Sequence, residues 1–151
     1  EVFAEEMSAN RSMLISLKQA VESGMPCYAE CGGLMLLTDS LKVHSGKCYS
    51  MAGVVPGTVE MPKQLQNFGY CKIDLPKSGE VRGHEFHYSR WSEETKSANL
   101  WEVIRHSTGV SRREGYRTSN LHASYVHLYF PQAATFIREI LHLSLLEPDK
   151  C

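Results

Sequence analysis

The sequence predicts an α/β layered domain with a strand-rich middle, and three observations carry that reading. Residues 3–22 read as amphipathic helix, with Phe3, Met7, Met13, Leu14, Leu17 and Val21 at helical spacing. Helical text returns at Pro131, a favoured residue at a helix start, with Phe136, Ile137, Ile140 and Leu141 on its apolar side. Between them, residues 57–117 are rich in strand text and poor in helix. Strands bracketed by helices suit a layered sheet. The helix-poor middle suits an antiparallel extension of that sheet.

The chain has 151 residues, 42% of them hydrophobic, which is enough for one domain with its own core. Its net charge of −1 argues against a broad electrostatic pull toward nucleic acid or a membrane surface. Arg105, Arg112, Arg113 and Arg117 make the C-terminal half loosely basic, as a solvated face does. No apolar run approaches the length of a membrane span. The cysteines, Cys27, Cys31, Cys48, Cys71 and Cys151, are odd in number and irregular in spacing. That pattern speaks for free thiols in a reducing compartment, so a cytoplasmic protein is expected.

In chain order, Gly24 suits the end of the first helix. An apolar run to Cys31 reads as a buried strand, and the apolar text after it as a helix ending near residues 38–40. Strands are expected at residues 57–61, 68–75, 80–88, 100–106 and from 115, with loops at 62–67 and 93–99. Residues 121–129 read as one further strand. No repeat or linker appears, so a single domain over residues 1–151 is expected.

The stretch with most chemical content is Pro26-Cys27-Tyr28-Ala29-Glu30-Cys31-Gly32-Gly33-Leu34. A reactive side chain between strand and helix stands on a sharp apex, and small residues are needed two positions either side. Ala29 and Gly33 occupy those positions. A helix start offers unpaired N–H groups, which favour a thiolate over the free-cysteine pKa of ~8.5. Cys31 is therefore expected to be an activated thiol. The other reading, a buried cysteine acting as a small hydrophobe, is compatible with the same text.

Three motifs resolve the family. Tyr28-Ala29-Glu30-Cys31-Gly33-Leu34-Met35, Arg82-Gly83-His84-Glu85-Phe86-His87-Tyr88-Ser89 and Ala123-Ser124-Tyr125-Val126-His127-Leu128 resemble the amidotransferase domain of cobyrinic acid a,c-diamide synthases. They occur in the family's order and cover nearly the whole chain. The resemblance implies a flavodoxin-like, three-layer sandwich of the class I glutamine amidotransferase type. It implies hydrolysis of glutamine to release ammonia. It also implies an ATP-binding synthetase domain, N-terminal in the same polypeptide, that uses ATP and Mg to amidate two carboxylates of a corrinoid.

By the same resemblance Cys31 is the nucleophile, His127 the base, and Gly32 and Gly33 the oxyanion and substrate-binding positions. Most class I amidotransferases place an acid two residues after the histidine, where this chain has Tyr129. Glu85 is the expected substitute for orienting His127, with a backbone carbonyl as the alternative. His84 and His87 are expected as orienting or substrate contacts. The run His84-Glu85-Phe86-His87-Tyr88 is not a zincin signature, which needs histidine at position 88. A site built from His84, His87 and a cysteine is the metal alternative, and no metal is expected. No Gly-x-x-x-x-Gly-Lys-[Ser/Thr] loop occurs, so no cofactor is expected in this domain.

The chain opens on Glu1 directly in helical text, which reads as an N-terminally truncated domain. Three readings follow. One is the glutaminase of a corrinoid synthetase. The other is a folded but inert module that serves structure, pairing an exposed sheet edge with a second copy as a homodimer. A different cysteine chemistry on the same fold is the third reading, and the motifs count against it. The isolated chain is expected to be a poor glutaminase, because the family draws an oxyanion donor from a glycine-rich turn upstream of residue 1.

Overall fold

The computed structural model describes residues 1–75 and 77–141, so Cys151 lies outside the described residues. The helix expected over residues 3–22 is two helices, α1 (Ala4–Ala9) and α2 (Arg11–Glu22). Asn10 interrupts them: its side chain accepts a hydrogen bond from the Met13 N–H at 3.3 Å and caps α2. Ala4, Leu14 and Val21 still face one core, so the apolar spacing runs through the break.

Strand β1 (Cys27–Glu30) leads to Cys31 and then to α3 (Gly32–Leu37). That helix stops before residues 38–40. Thr38 Oγ1 donates to the Met35 carbonyl at 2.7 Å, closing the last turn, and β2 (Thr38–Lys42) starts at once. The chain continues through β3 (Cys48–Ser50), β4 (Val55–Glu60), β5 (Asn67–Leu75), β6 (Gly79–His87) and β7 (Arg90–Trp91). A short helix, α4 (Glu94–Ser97), stands where polar text reads as loop. Then come β8 (Trp101–Arg105), β9 (Ser111–Glu114), β10 (Tyr116–Arg117), β11 (Leu121–Ser124), β12 (His127–Leu128) and α5 (Phe130–Ile140).

These strands form three sheets, in the orders β1-β11-β10, β12-β6-β5-β8-β9 and β3-β2-β4-β7. The first holds the parallel pair β1–β11, in register from Cys27 opposite Leu121 to Glu30 opposite Ser124. All four residues of β11 are buried, as expected of a parallel strand covered on both faces. Ala29, Leu121 and Ala123 join the core that holds α2, α3 and the four-stranded sheet. Tyr28 joins the second core, under the five-stranded sheet with α5. Helices thus cover both faces of this small sheet, and the strand-rich middle supplies the other two.

Asn120 seats the central pair. Its side-chain amide donates to Val21 O at 2.8 Å and to Met25 O at 2.9 Å, while its backbone carbonyl accepts from Cys27 N at 2.8 Å. One residue therefore sets where α2 ends, where β1 begins and where β11 starts beside it.

The strand expected over residues 121–129 is two strands in different sheets. β11 ends at Ser124, and β12 pairs antiparallel with β6, His127 opposite His84 and Leu128 opposite Gly83. Gly83 makes that crossing close. A Cβ there would stand 2.6 Å from Val126 Cγ1 and 3.0 Å from the His127 carbonyl oxygen. Gly83→Ala is therefore expected to destabilise the fold by about 1–3 kcal/mol, read as a lowered urea midpoint. An unchanged midpoint would mean that the crossing has slack.

Candidate active site

The site is built where β1 and β11 end side by side. β1 delivers Cys31, and the Cys31 N–H donates to the Ser124 carbonyl at 2.7 Å. Cys31 has φ +47° and ψ −102°, a backbone state that L-residues disfavour. This is the sharp strand-to-helix apex that the small flanks predict. A Cβ on Gly33 would meet Ala29 Cβ at 3.1 Å, so the two small positions are needed by each other. Cys31 caps α3, whose Met35 N–H donates to the Cys31 carbonyl at 3.1 Å.

Three residues beyond Ser124 the chain presents His127. Its Nδ1 lies 3.2 Å from Glu30 Oε2. Glu30 Oε1 accepts from the Tyr28 hydroxyl at 2.7 Å and from the Leu128 N–H at 2.9 Å. A carboxylate surrounded by donors is an acceptor only, so Nδ1 carries the proton and Nε2 is the basic nitrogen. Glu30 directly precedes Cys31, so one short segment supplies the thiol and the carboxylate that meets the histidine. Burial, and then Glu30, push the Tyr28 hydroxyl well above its ordinary range, so it remains a donor to Glu30.

The assignment of Glu85 as the orienting acid is corrected by this geometry. On β6 the side chains alternate, and residues 81, 83, 85 and 87 are buried while 82, 84 and 86 are exposed. Glu85 thus lies on the inner face, bonded to Arg112 and with His87 Nε2 3.5 Å from its carboxylate. Burial alone would raise its carboxyl, but His87 and Arg112 hold it below the ordinary carboxylate range. His84 is on the outer face, its ring stacked on His127 at 4.9 Å. His87 is on the inner face, stacked on Tyr125 at 4.0 Å, with Nδ1 2.8 Å from the Ser89 carbonyl. The two histidines stand on opposite sides of one strand, so they are not ligands of one ion.

The expected lowering of the Cys31 thiol is also corrected. Desolvation by burial raises it above the ordinary value, and Glu30 adds to the rise. The Gly32 N–H pulls the other way without cancelling it. A helix of one and a half turns, Gly32–Leu37, carries little dipole to set against burial.

Two acids beside these residues escape a sequence reading. Glu30 is legible only as an acid inside an apolar strand, next to the apex. Glu114 is an acid between Arg113 and Gly115, 1% exposed, and it accepts from Ser124 Oγ at 2.6 Å, Tyr125 N at 2.7 Å and Trp101 Nε1 at 2.9 Å.

Residues 1–135 match the family model described as the CobB/CobQ-like glutamine amidotransferase domain. A cobyrinate a,c-diamide synthase of Caldanaerobacter subterraneus is 44% identical over 136 residues, covering 85% of this chain and 30% of that protein. One of Salmonella typhimurium is 38% identical over 149 residues, covering 93% of this chain and 32% of that protein. The chain therefore spans about a third of the length of these relatives. A solved structure titled as a glutamine amidotransferase superposes with a TM-score of 0.55 at 15% identity, covering 84% of this chain and 67% of that one. That likeness shows the amidotransferase fold. Among the described residues no helix is long and apolar enough to cross a membrane.

The raised thiol gives a direct expectation. Alkylation of Cys31 by iodoacetamide, followed by peptide mass spectrometry across pH, should rise with a midpoint above the ~8.5 of free cysteine. A midpoint below that value would restore the activated thiolate.

Proposed function

The chain belongs to the CobB/CobQ-like glutamine amidotransferase domain family, and from that membership we propose that Cys31, His127 and Glu30 hydrolyse the side-chain amide of glutamine. The observation that carries this reading is the Glu30 carboxylate, which holds His127 Nδ1 and immediately precedes the strained Cys31 apex. It supplies the orienting acid that position 129 does not.

In this reading the roles are those of the family's chemistry, supported by the contacts of His127 with Glu30. Cys31 stays a thiol until substrate arrives. His127 Nε2 takes its proton as the sulfur attacks the amide carbon. The Gly32 N–H, one residue past the nucleophile, donates to the oxyanion, while Gly33 leaves room for the apex. The imidazolium, stabilised by Glu30, gives its proton to the departing nitrogen, and ammonia leaves a thioester on Cys31. Water, deprotonated by His127, then attacks the thioester, releasing glutamate and restoring the thiol. His84, stacked on His127 at the outer face, borders the approach, while Glu85 and His87 stand on the inner face with Arg112 and the Ser89 carbonyl.

For the whole polypeptide we propose the role that the relatives' names carry. Ammonia made here passes to an ATP-dependent synthetase domain, which uses it to amidate a corrinoid. ATP and Mg belong to that domain and enter no step above.

The test is Glu30→Gln in a glutaminase assay. The amide keeps the shape but turns a donor toward Tyr28, Leu128 or His127. The turnover number is expected to fall about a hundredfold, with the Michaelis constant within about threefold. Turnover within twofold of the parent would remove Glu30 from the mechanism.

A further inference from the structure

We infer that Glu114 is the positioning residue that sets where His127 stands in the amide hydrolysis proposed above, a role that rests on that reading of the site. It acts through the crossover of Tyr125 and Val126, the two residues between β11 and β12.

The crossover is where the chain leaves the three-stranded sheet for the five-stranded one. Both of its residues are buried, Tyr125 at 1% and Val126 at 0% exposure. A buried N–H without a partner is costly, so their hydrogen bonds fix the path. Tyr125 N–H donates to Glu114 Oε1 at 2.7 Å. Val126 N–H donates to Ser124 Oγ at 2.9 Å, and that hydroxyl donates to Glu114 Oε2 at 2.6 Å. The two backbone donors of the crossover therefore end, one directly and one through a hydroxyl, on the same carboxylate. His127 is the next residue.

Ser124 is the point where the two halves of the site meet. Its carbonyl accepts the Cys31 N–H, and its hydroxyl joins the Glu114 relay. Glu114 arrives from the far edge of the five-stranded sheet, at the end of β9. Gly115 makes its approach possible, since at φ +75° a Cβ there would stand 2.9 Å from the Ala123 carbonyl oxygen. Burying an acid is unfavourable for packing alone, where an apolar side chain of like volume does better. Three donors converging on this one make sense as a fixed joint between sheets.

The third donor allows a control. Trp101 Nε1 bonds the same carboxylate from β8 and touches neither crossover N–H. Glu114→Leu removes both acceptor oxygens at near-constant volume, so it breaks the joint, whereas a glutamine keeps it by turning its NH2 group to Ser124 Oγ. Trp101→Phe removes a bond to Glu114 but leaves the joint. Both are expected to lower the melting temperature. Only Glu114→Leu is expected to lower turnover, about a hundredfold with the Michaelis constant within about threefold. Only Glu114→Leu is expected to abolish the low-field proton signal of the His127 Nδ1–H bonded to Glu30, assigned by its loss in His127→Gln.

If Glu114→Leu does not fold, Ser124→Ala cuts the relay to Val126 alone and should shift the same signal, with about a tenfold loss in turnover. The inference is overturned if Glu114→Leu, or Ser124→Ala in its place, keeps both turnover and the His127 signal while losing only thermal stability. It is overturned equally if Trp101→Phe matches Glu114→Leu in every readout. Should the parent hydrolyse no glutamine, the proposed function fails, and the His127 signal still decides what Glu114 holds.

Discussion

The Glu30 carboxylate is the joint on which the site depends. It sits at the last position of β1 and accepts from its own strand through Tyr28, from the His127 imidazole, and from the Leu128 backbone. Those bonds tie the three-stranded sheet to the edge of the five-stranded one, so the two sheets meet at Glu30 and His127. A carboxylate in water gains little from any one of these donors. Half-buried at the junction, it must keep all of them, and in doing so it fixes the histidine in one tautomer.

Strain and burial then explain the chemistry at Cys31. A residue at φ +47° costs on the order of 1–3 kcal/mol and persists because the surroundings hold it there. The Ser124 carbonyl holds its N–H, and the contact of Gly33 with Ala29 permits the turn. Burial raises the thiol, against the helix-start argument. A thiol that waits for its base is protected from stray alkylation and oxidation, which act on the thiolate. In the reaction proposed above, the proton transfer is part of the catalytic step instead of preceding it.

What was legible in the sequence was local. The apex residue, its small flanks, the strand and helix around it, and the alternating text of β5 and β6 are all short-range patterns. His127 was legible through its motif. The partners that place it were not, because Glu30 lies 97 residues away in sequence and Glu114 meets the crossover from another sheet. The single strand expected over residues 121–129 fails for the same reason: every residue there suits a strand, and only the distant carboxylate diverts the donors of Tyr125 and Val126. Glu85 lies in the second motif, which alone does not say where its side chain points. The period of two along β6 turns it to the inner face, where Arg112 claims it. The break at Asn10 leaves no mark in the apolar spacing, since both helices keep one apolar face.

The central claim is that Cys31, prepared by His127 and Glu30, carries the acyl group of glutamine. The most direct measurement is an acid quench of the protein during turnover with isotope-labelled glutamine, followed by peptide mapping. A labelled γ-glutamyl thioester on the peptide holding Cys31, reduced in Glu30→Gln, is the result expected here. Glutamate formation with no label on Cys31, or with label on another cysteine, would contradict it.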